Sequence, residues 1–260
     1  MEEADATAAV ATTAAKPKPK RPERERKKKM RFEMLHSMTV EQRRQYLLDE
    51  EAKAVAKAEK MRRAVESDGG VQRIAIDLSF DAIMNEKEVH SLAKQMKLSY
   101  GAVKQMEKPF QLHFLNCSAA LKQSLERFSA DKWLVHWHTG DNSSSGDVAV
   151  HRHLATKIAA PESIVYLSPD SPNVLTSLDV TKTYVIGGIV DKSRKKGATL
   201  NAASSAGITT ARLPIQEFIA ERPDHILNVN TVIEVLIAFE ESGGDWTKAL
   251  RLALPQRFIE

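Results

Sequence analysis

From residue 73 onward the sequence alternates between short runs rich in β-branched and aromatic residues and longer stretches with apolar residues at helical spacing. No other feature narrows the available folds as much. The runs are 73–78, 111–115, 133–137, 164–167 and 183–186, and the stretches include 86–107 and 118–128. Strand, helix and strand in repetition predict an α/β fold with a largely parallel sheet and helices on both faces. The sequence ends in two more helical segments, 230–241 and 245–253, broken by Gly243 and Gly244, with Trp246 and Leu250 free to pack. No internal repeat is found.

Ahead of the sheet the chain has another character. Residues 1–15 are mostly Ala and Thr, and Lys16 to Lys20 alternates with Pro17 and Pro19, so 1–30 is expected to be a disordered basic tail. Between Lys16 and Arg31 stand ten Lys or Arg against Glu23 and Glu25, a local charge of +8. The whole chain carries only +4, so the basicity belongs to this tail and residues 32–260 come to −1. Such an arm suits a polyanion, because each neutralised phosphate releases a counterion, or an import receptor. Thr39 can cap a helix, with Gln42 three residues on, and no Gly or Pro follows until Gly69. Residues 31–70 therefore read as a charged helical extension whose apolar residues Tyr46, Leu47, Val55 and Met61 are too sparse for a full core face. The folded body is expected over 71–260.

No run of eighteen apolar residues occurs and the mean hydropathy is −0.35, so no membrane partner is expected. The single cysteine, Cys117, can form no internal disulfide, and no leader pattern is seen, which favours the nucleus, the cytoplasm or both. Gly140 to Gly146 is a loop without the Gly-Lys-Ser/Thr of a phosphate loop, and the dinucleotide fingerprint is absent. His136 and His138, with His151 and His153 repeating their spacing, lack the partners of a zinc site, so no metal is expected. Cys117 lacks any Cys-His signature and reads as a small apolar group.

The chemistry concentrates between Ile164 and Pro214. A buried strand ends at the turn Ser168-Pro169-Asp170, and a second ends at Gly187-Gly188, where glycine lets backbone approach a ligand. Asp191 follows at the rim where open α/β sheets bind ligands, with Lys192, Arg194, Lys195 and Lys196 beside it. One acid within a cationic loop can hold a phosphate backbone and spare a carboxylate for proton chemistry; a solvated strand-end turn is the alternative.

YLSPDSPNVL, YVIGGIVDKSRKKG, GITTARLPI and the C-terminal DW and LPQR, preceded by DLSFDAIMNEKEVHSLAKQM and KPFQLHF, resemble the tRNA (purine-N1)-methyltransferases acting on the ninth nucleotide of tRNA, a branch of the SPOUT superfamily. The resemblance spans about residues 71–257. It implies a C-terminal trefoil knot, S-adenosylmethionine as cofactor, tRNA as partner and a monomeric enzyme. Carried over position by position, the implied cofactor residues are Leu167, Gly187, Asp191, Lys192, Ser193, Arg194, Lys195, Thr199, Leu213, His225, Ile226 and Leu227. Arg194, Lys195 and Lys196 are the implied substrate contacts, and Gln95 matches a position near the target base. Val103 and Lys104 replace the Asn-Arg pair common in the family, and the Gly140–Gly146 loop has no counterpart in its pattern.

The implied reaction transfers a methyl group to N1 of guanosine, which carries a proton. An aspartate near pKa 3.9 lies about five units below that nitrogen, so prior deprotonation would cost roughly 7 kcal/mol. Asp191 is thus expected to act as a concerted acceptor or to orient water. Adenosine, whose N1 has no proton, needs such an acid less. A catalytically idle tRNA-binding subunit, an adenosine N1-methyltransferase and a SPOUT enzyme with ribose or ribosomal substrates are the alternatives.

Overall fold

The computed structural model describes residues 21–138, 158–190, 197–219 and 226–254. The tail before Arg21 and the Gly140–Gly146 loop with His151 and His153 lie outside the described residues. The chain divides into two units, 1–53 and 54–260.

The first unit contains α1 (Arg21–Ser37) and the beginning of α2 (Val40–Glu66). Regular structure therefore starts ten residues before the expected end of the tail. Arg, Glu, Lys and Met are strong helix formers, no Gly or Pro follows Pro22 until Gly69, and Lys29 pairs with Glu33 one turn on at 3.8 Å. The capping box is formed: Gln42 N donates to Thr39 Oγ1 at 3.2 Å and Thr39 N to Gln42 Oε1 at 3.0 Å. The boundary at 70 shifts as well, because the last turns of α2 bury Met61 and Ala64 in the second unit.

The second unit is built on six parallel strands in the order β3-β2-β1-β5-β4-β6: β1 (Arg73–Asp77), β2 (Gln111–Leu115), β3 (His136–His138), β4 (Ile164–Leu167), β5 (Thr183–Gly187) and β6 (Thr209–Ala211). Four of the expected strands appear within a residue of their predicted bounds. The fifth begins at His136 instead of Trp133, because Trp133 packs flat on Tyr100 with ring centroids 4.9 Å apart. β6 was not anticipated: three residues of Thr-Thr-Ala give too short a pattern to read.

Alternate strand residues supply two cores, which is why the strands read as continuous apolar runs. Ile74, Ile76, Leu112 and Phe114 face α3 (Glu86–Val103), α4 (Ala119–Glu126), α7 (Val229–Glu241) and α8 (Trp246–Ala253). Ala75, Leu115, Tyr166 and Val185 face α5 (Ala198–Ser205). A short helix, α6 (Ile215–Phe218), completes the unit.

One polar clamp ties α2 to the sheet. The end of α2 leaves carbonyls without helical partners, and Gln111 of β2 donates through Nε2 to the oxygens of Ala64 at 2.9 Å, Val65 at 3.0 Å and Ser67 at 3.0 Å. Gln111 Oε1 lies 3.1 Å from His113 Nε2, and His113 Nδ1 lies 3.0 Å from His138 Nε2. His136 Nε2 reaches the Val65 carbonyl at 2.9 Å. The histidines of β3 are thus held in hydrogen bonds, and among the described residues no cluster of three or more His, Cys, Asp or Glu is arranged for a metal ion.

Candidate active site

The carboxyl ends of β4, β5 and β6 open into a cavity of about 120 Å³. Register explains the convergence. Leu167 of β4 stands opposite both Ile186 of β5 and Ala211 of β6, so the three strands stop together and the segments that follow them form the walls. Leu167, Ser168 and Asp170 come from the end of β4, Ile186, Gly187 and Ile189 from β5, and Arg212, Leu213 and Ile215 from beyond β6. Thr199 of α5, Ile226, Leu227, and Val229 and Val232 of α7 close it.

Of the residues the resemblance assigns to a cofactor, Leu167, Gly187, Thr199, Leu213, Ile226 and Leu227 all line this one cavity. Asp191, Lys192, Ser193, Arg194, Lys195 and Lys196, and likewise His225, lie outside the described residues. Gln95, expected near the target base, is 7% exposed, and its Oε1 accepts the Val229 amide at 2.9 Å.

The double glycine has a different physical basis from the one expected. A Cβ on Gly187 would meet Thr199 Cγ2 at 2.3 Å, and one on Gly188 would meet the Asp77 carbonyl oxygen at 2.7 Å. Close approach of chain to chain excludes side chains here, not close approach of a ligand alone. Gly188 N donates to that same oxygen at 2.7 Å. Gly197, by contrast, needs its glycine for conformation: φ is +73°, and its amide donates to Asp170 Oδ2 at 2.9 Å, joining the turn after β4 to the start of α5.

The polar groups of the cavity are few and mutually held, as a specific small-molecule site requires. Thr199 Oγ1 donates to Ser168 Oγ at 2.8 Å, and Ser168 Oγ accepts the Asp170 amide at 3.3 Å. Arg212 grips Glu217 with two bonds, at 2.9 and 2.6 Å, which holds the Glu217 carboxyl below its usual range and raises the guanidinium. Aliphatic walls with a hydroxyl pair and two charged lining residues, Asp170 and Arg212, fit a largely apolar ligand that carries a few polar groups.

Beside the cavity stands a buried acid that the sequence reading missed. Asp77, 2% exposed at the end of β1, accepts from Ser79 Oγ at 2.6 Å, Ser79 N at 3.2 Å, Asn116 Nδ2 at 3.3 Å and Tyr166 OH at 2.9 Å. Burial foremost, and then this carboxylate, push the Tyr166 hydroxyl well above its ordinary pKa, so it remains a donor. Asp77 lies opposite Gly187 in register, so the network fixes the carboxyl end of β5. An acid within an otherwise apolar strand was the available signal.

The family model for tRNA (guanine(9)-N(1))-methyltransferase TRM10/TRM10A matches residues 8–259. tRNA methyltransferase 10 homolog A of Rattus norvegicus is 36% identical over 185 residues, 71% of this chain and 52% of that protein. The tRNA (guanine(9)-N1)-methyltransferase of Schizosaccharomyces pombe is 37% identical over 185 residues, 71% of this chain and 58% of its own. The chain thus spans about half the length of the curated relatives it matches. Among solved structures, full-length spTrm10 in complex with SAH superposes with a TM-score of 0.61 at 34% identity, covering 71% of this chain and 97% of that one. A dual specific Trm10 from Thermococcus kodakaraensis shares the fold, with a TM-score of 0.53 at 22% identity over 70% of this chain and 99% of that one.

Proposed function

Because this chain belongs to the tRNA (guanine(9)-N(1))-methyltransferase family, we propose that it uses S-adenosylmethionine to methylate N1 of guanosine at the ninth nucleotide of tRNA. The observation that carries the reading is the cavity in which Leu167, Gly187, Thr199, Leu213, Ile226 and Leu227 meet. The SAH bound to spTrm10, 34% identical, supports the choice of cofactor. When bound, the cofactor supplies a methyl group activated on sulfonium. Leu167, Leu213, Ile226 and Leu227 would pack on the nucleoside and exclude water, while the Ser168 and Thr199 hydroxyls retain hydrogen-bonding capacity for it.

Asp191 is proposed to take the N1 proton as the methyl arrives, or to orient a water that does so. The gap of about five pKa units makes it a concerted or late acceptor, so much of the rate would come from holding N1 in line with the methyl group. Arg194, Lys195 and Lys196 are proposed to hold the tRNA backbone. Exposed Lys87, Lys94 and Lys97 on one side of α3, with Arg127 at the end of α4, add further cations. We read the crossing from β5 over β4 to β6, with Arg212 N bonded to the Asn173 carbonyl and Leu175 N to the Arg212 carbonyl, each at 2.8 Å, as support for a trefoil knot. A monomer working in the nucleus, the cytoplasm or both completes the proposal.

Incubation of the chain with S-adenosylmethionine and a tRNA transcript, followed by nucleoside mass spectrometry, tests it. We expect 1-methylguanosine at the ninth nucleotide, undiminished in EDTA because no step is assigned to a metal. Asp191→Asn should keep cofactor binding and lower single-turnover methylation; an equal rate across pH would remove Asp191 from the chemical step. Binding of tRNA without cofactor binding would indicate an idle subunit, and 1-methyladenosine as the product would move the substrate to adenosine.

A further inference from the structure

The first amides of a helix have no partner within it. In α7 this matters to the cavity, because Ile226 and Leu227 precede the helix, Val229 and Val232 lie in its first turn, and all four are wall residues. Asn228 occupies the capping position, yet its side chain makes no capping bond. The acceptor for Val229 N–H comes instead from Gln95 Oε1, 134 residues away on α3, at 2.9 Å. Gln95 Nε2 has only a long contact to Ser91 Oγ at 3.4 Å. α3 is a firm support for this bond: Asn85 and Glu88 close its capping box, and Leu92, Met96 and Val103 are fully buried.

We infer that Gln95 is a positioning residue that, through the Val229 amide, holds the 226–232 wall of the cofactor cavity in its binding geometry. It does not line the cavity itself. This inference rests on the reading of that cavity as the S-adenosylmethionine site. A polar side chain buried in the apolar face of α3 requires a partner, and the same bond removes an orphan amide at the helix start. Without the acceptor, the first turn of α7 loses its hydrogen bond to α3.

The test uses the full chain with two substitutions. Gln95→Met is close in size and removes the acceptor; Gln95→Glu keeps an acceptor oxygen at a helix N-terminus, where negative charge is favoured. For Gln95→Met we expect faster hydrogen exchange at Val229 and the following turn. Its S-adenosylmethionine affinity by calorimetry should be on the order of tenfold weaker, within the roughly 5- to 150-fold that an unsatisfied buried amide can supply. Its deficit in single-turnover methylation should disappear at saturating cofactor, whereas Gln95→Glu should retain wild-type exchange and affinity. Unchanged exchange and affinity in Gln95→Met overturns the inference. So does a rate deficit that persists at saturating cofactor in both variants, since that would assign the amide to the target base. If Gln95→Met does not fold, Gln95→Glu decides alone: retained exchange and affinity support the inference, and lost methylation at saturating cofactor overturns it. If the wild-type chain takes up no S-adenosylmethionine, the cofactor reading fails while the exchange contrast still decides the role of Gln95.

Discussion

His113 gives the folded chain a pH dependence whose size can be worked out. Gln111 Nε2 is committed to three carbonyls, so Gln111 Oε1 faces the ring and accepts from His113 Nε2–H. The network thereby assigns a neutral ring whose Nδ1 accepts from His138 Nε2–H. Burial first, then the charges of His136, His138 and Arg73, push its pKa down to about 3, against about 6.5 in an unfolded chain. Between these values the unfolded state binds a proton that the folded state refuses. Stability is therefore unaffected above about pH 6.5 and declines as pH falls from there towards about 3. Going from about pH 7.5 to about pH 5.0 costs about 2 kcal/mol, and the figure barely changes for any folded value below about 4.5. Urea unfolding at the two pH values, extrapolated to water, measures it. His113→Gln removes the titrating ring, so its stability should change by about 2 kcal/mol less than that of the wild type over the same interval. Carboxylates common to both proteins cancel, and making the comparison with His138→Gln in both chains removes the ring that is hydrogen-bonded to His113 and itself held down mainly by burial. Equal pH dependence of the two proteins would refute the argument.

Gly187→Ala should destabilise by about 1–3 kcal/mol in urea unfolding, because the new methyl meets Thr199 Cγ2 at 2.3 Å. Adding Thr199→Ser, which removes that carbon and keeps the hydroxyl on Ser168, should restore most of the loss, while Gly188→Ala, facing backbone oxygen, should not be rescued by it. Gln111→Leu should cost about 1–3 kcal/mol and speed hydrogen exchange in the last turn of α2, since the Ala64, Val65 and Ser67 carbonyls lose their donor. Removing residues 1–30 should reduce the slope of log K for tRNA against log salt by about 2–4, leaving methyl transfer on bound RNA nearly intact. An unchanged slope would assign the tail to import alone.

The sheet was legible because its strands are buried on both faces: runs such as Ile164 to Leu167 and Thr183 to Ile186 stand out against charged helices. The short edge strand at Thr209 offered no such contrast, and α1 was obscured by the Pro-rich stretch before it. Composition led to the rim of the sheet but not to the cavity walls. Leu213, Ile226 and Leu227 came through resemblance, since aliphatic residues carry no chemical signal of their own. The partners of two buried glutamines were hidden for a different reason. Gln95 was singled out only by resemblance and Gln111 looks like an ordinary strand residue; their partners, Val229 and the carbonyls at the end of α2, come from distant parts of the chain.

The strand order also sets a timetable for synthesis. β1 pairs with β2 on one side and β5 on the other, and β5 lies 110 residues further along the chain. At a translation rate of roughly 5–20 residues per second, the nascent chain therefore carries β1 with one edge unpaired for on the order of 5–20 s. Ile74 and Ile76, buried in the finished protein, have no cover from α7 during this interval, since that helix is made later still. Slow closure of distant pairings and an open strand edge are the two conditions that favour aggregation. The ribosome-bound N-terminal half is consequently the stage expected to be most exposed to aggregation, and slowing elongation between residues 77 and 183 is expected to lower the yield of folded protein.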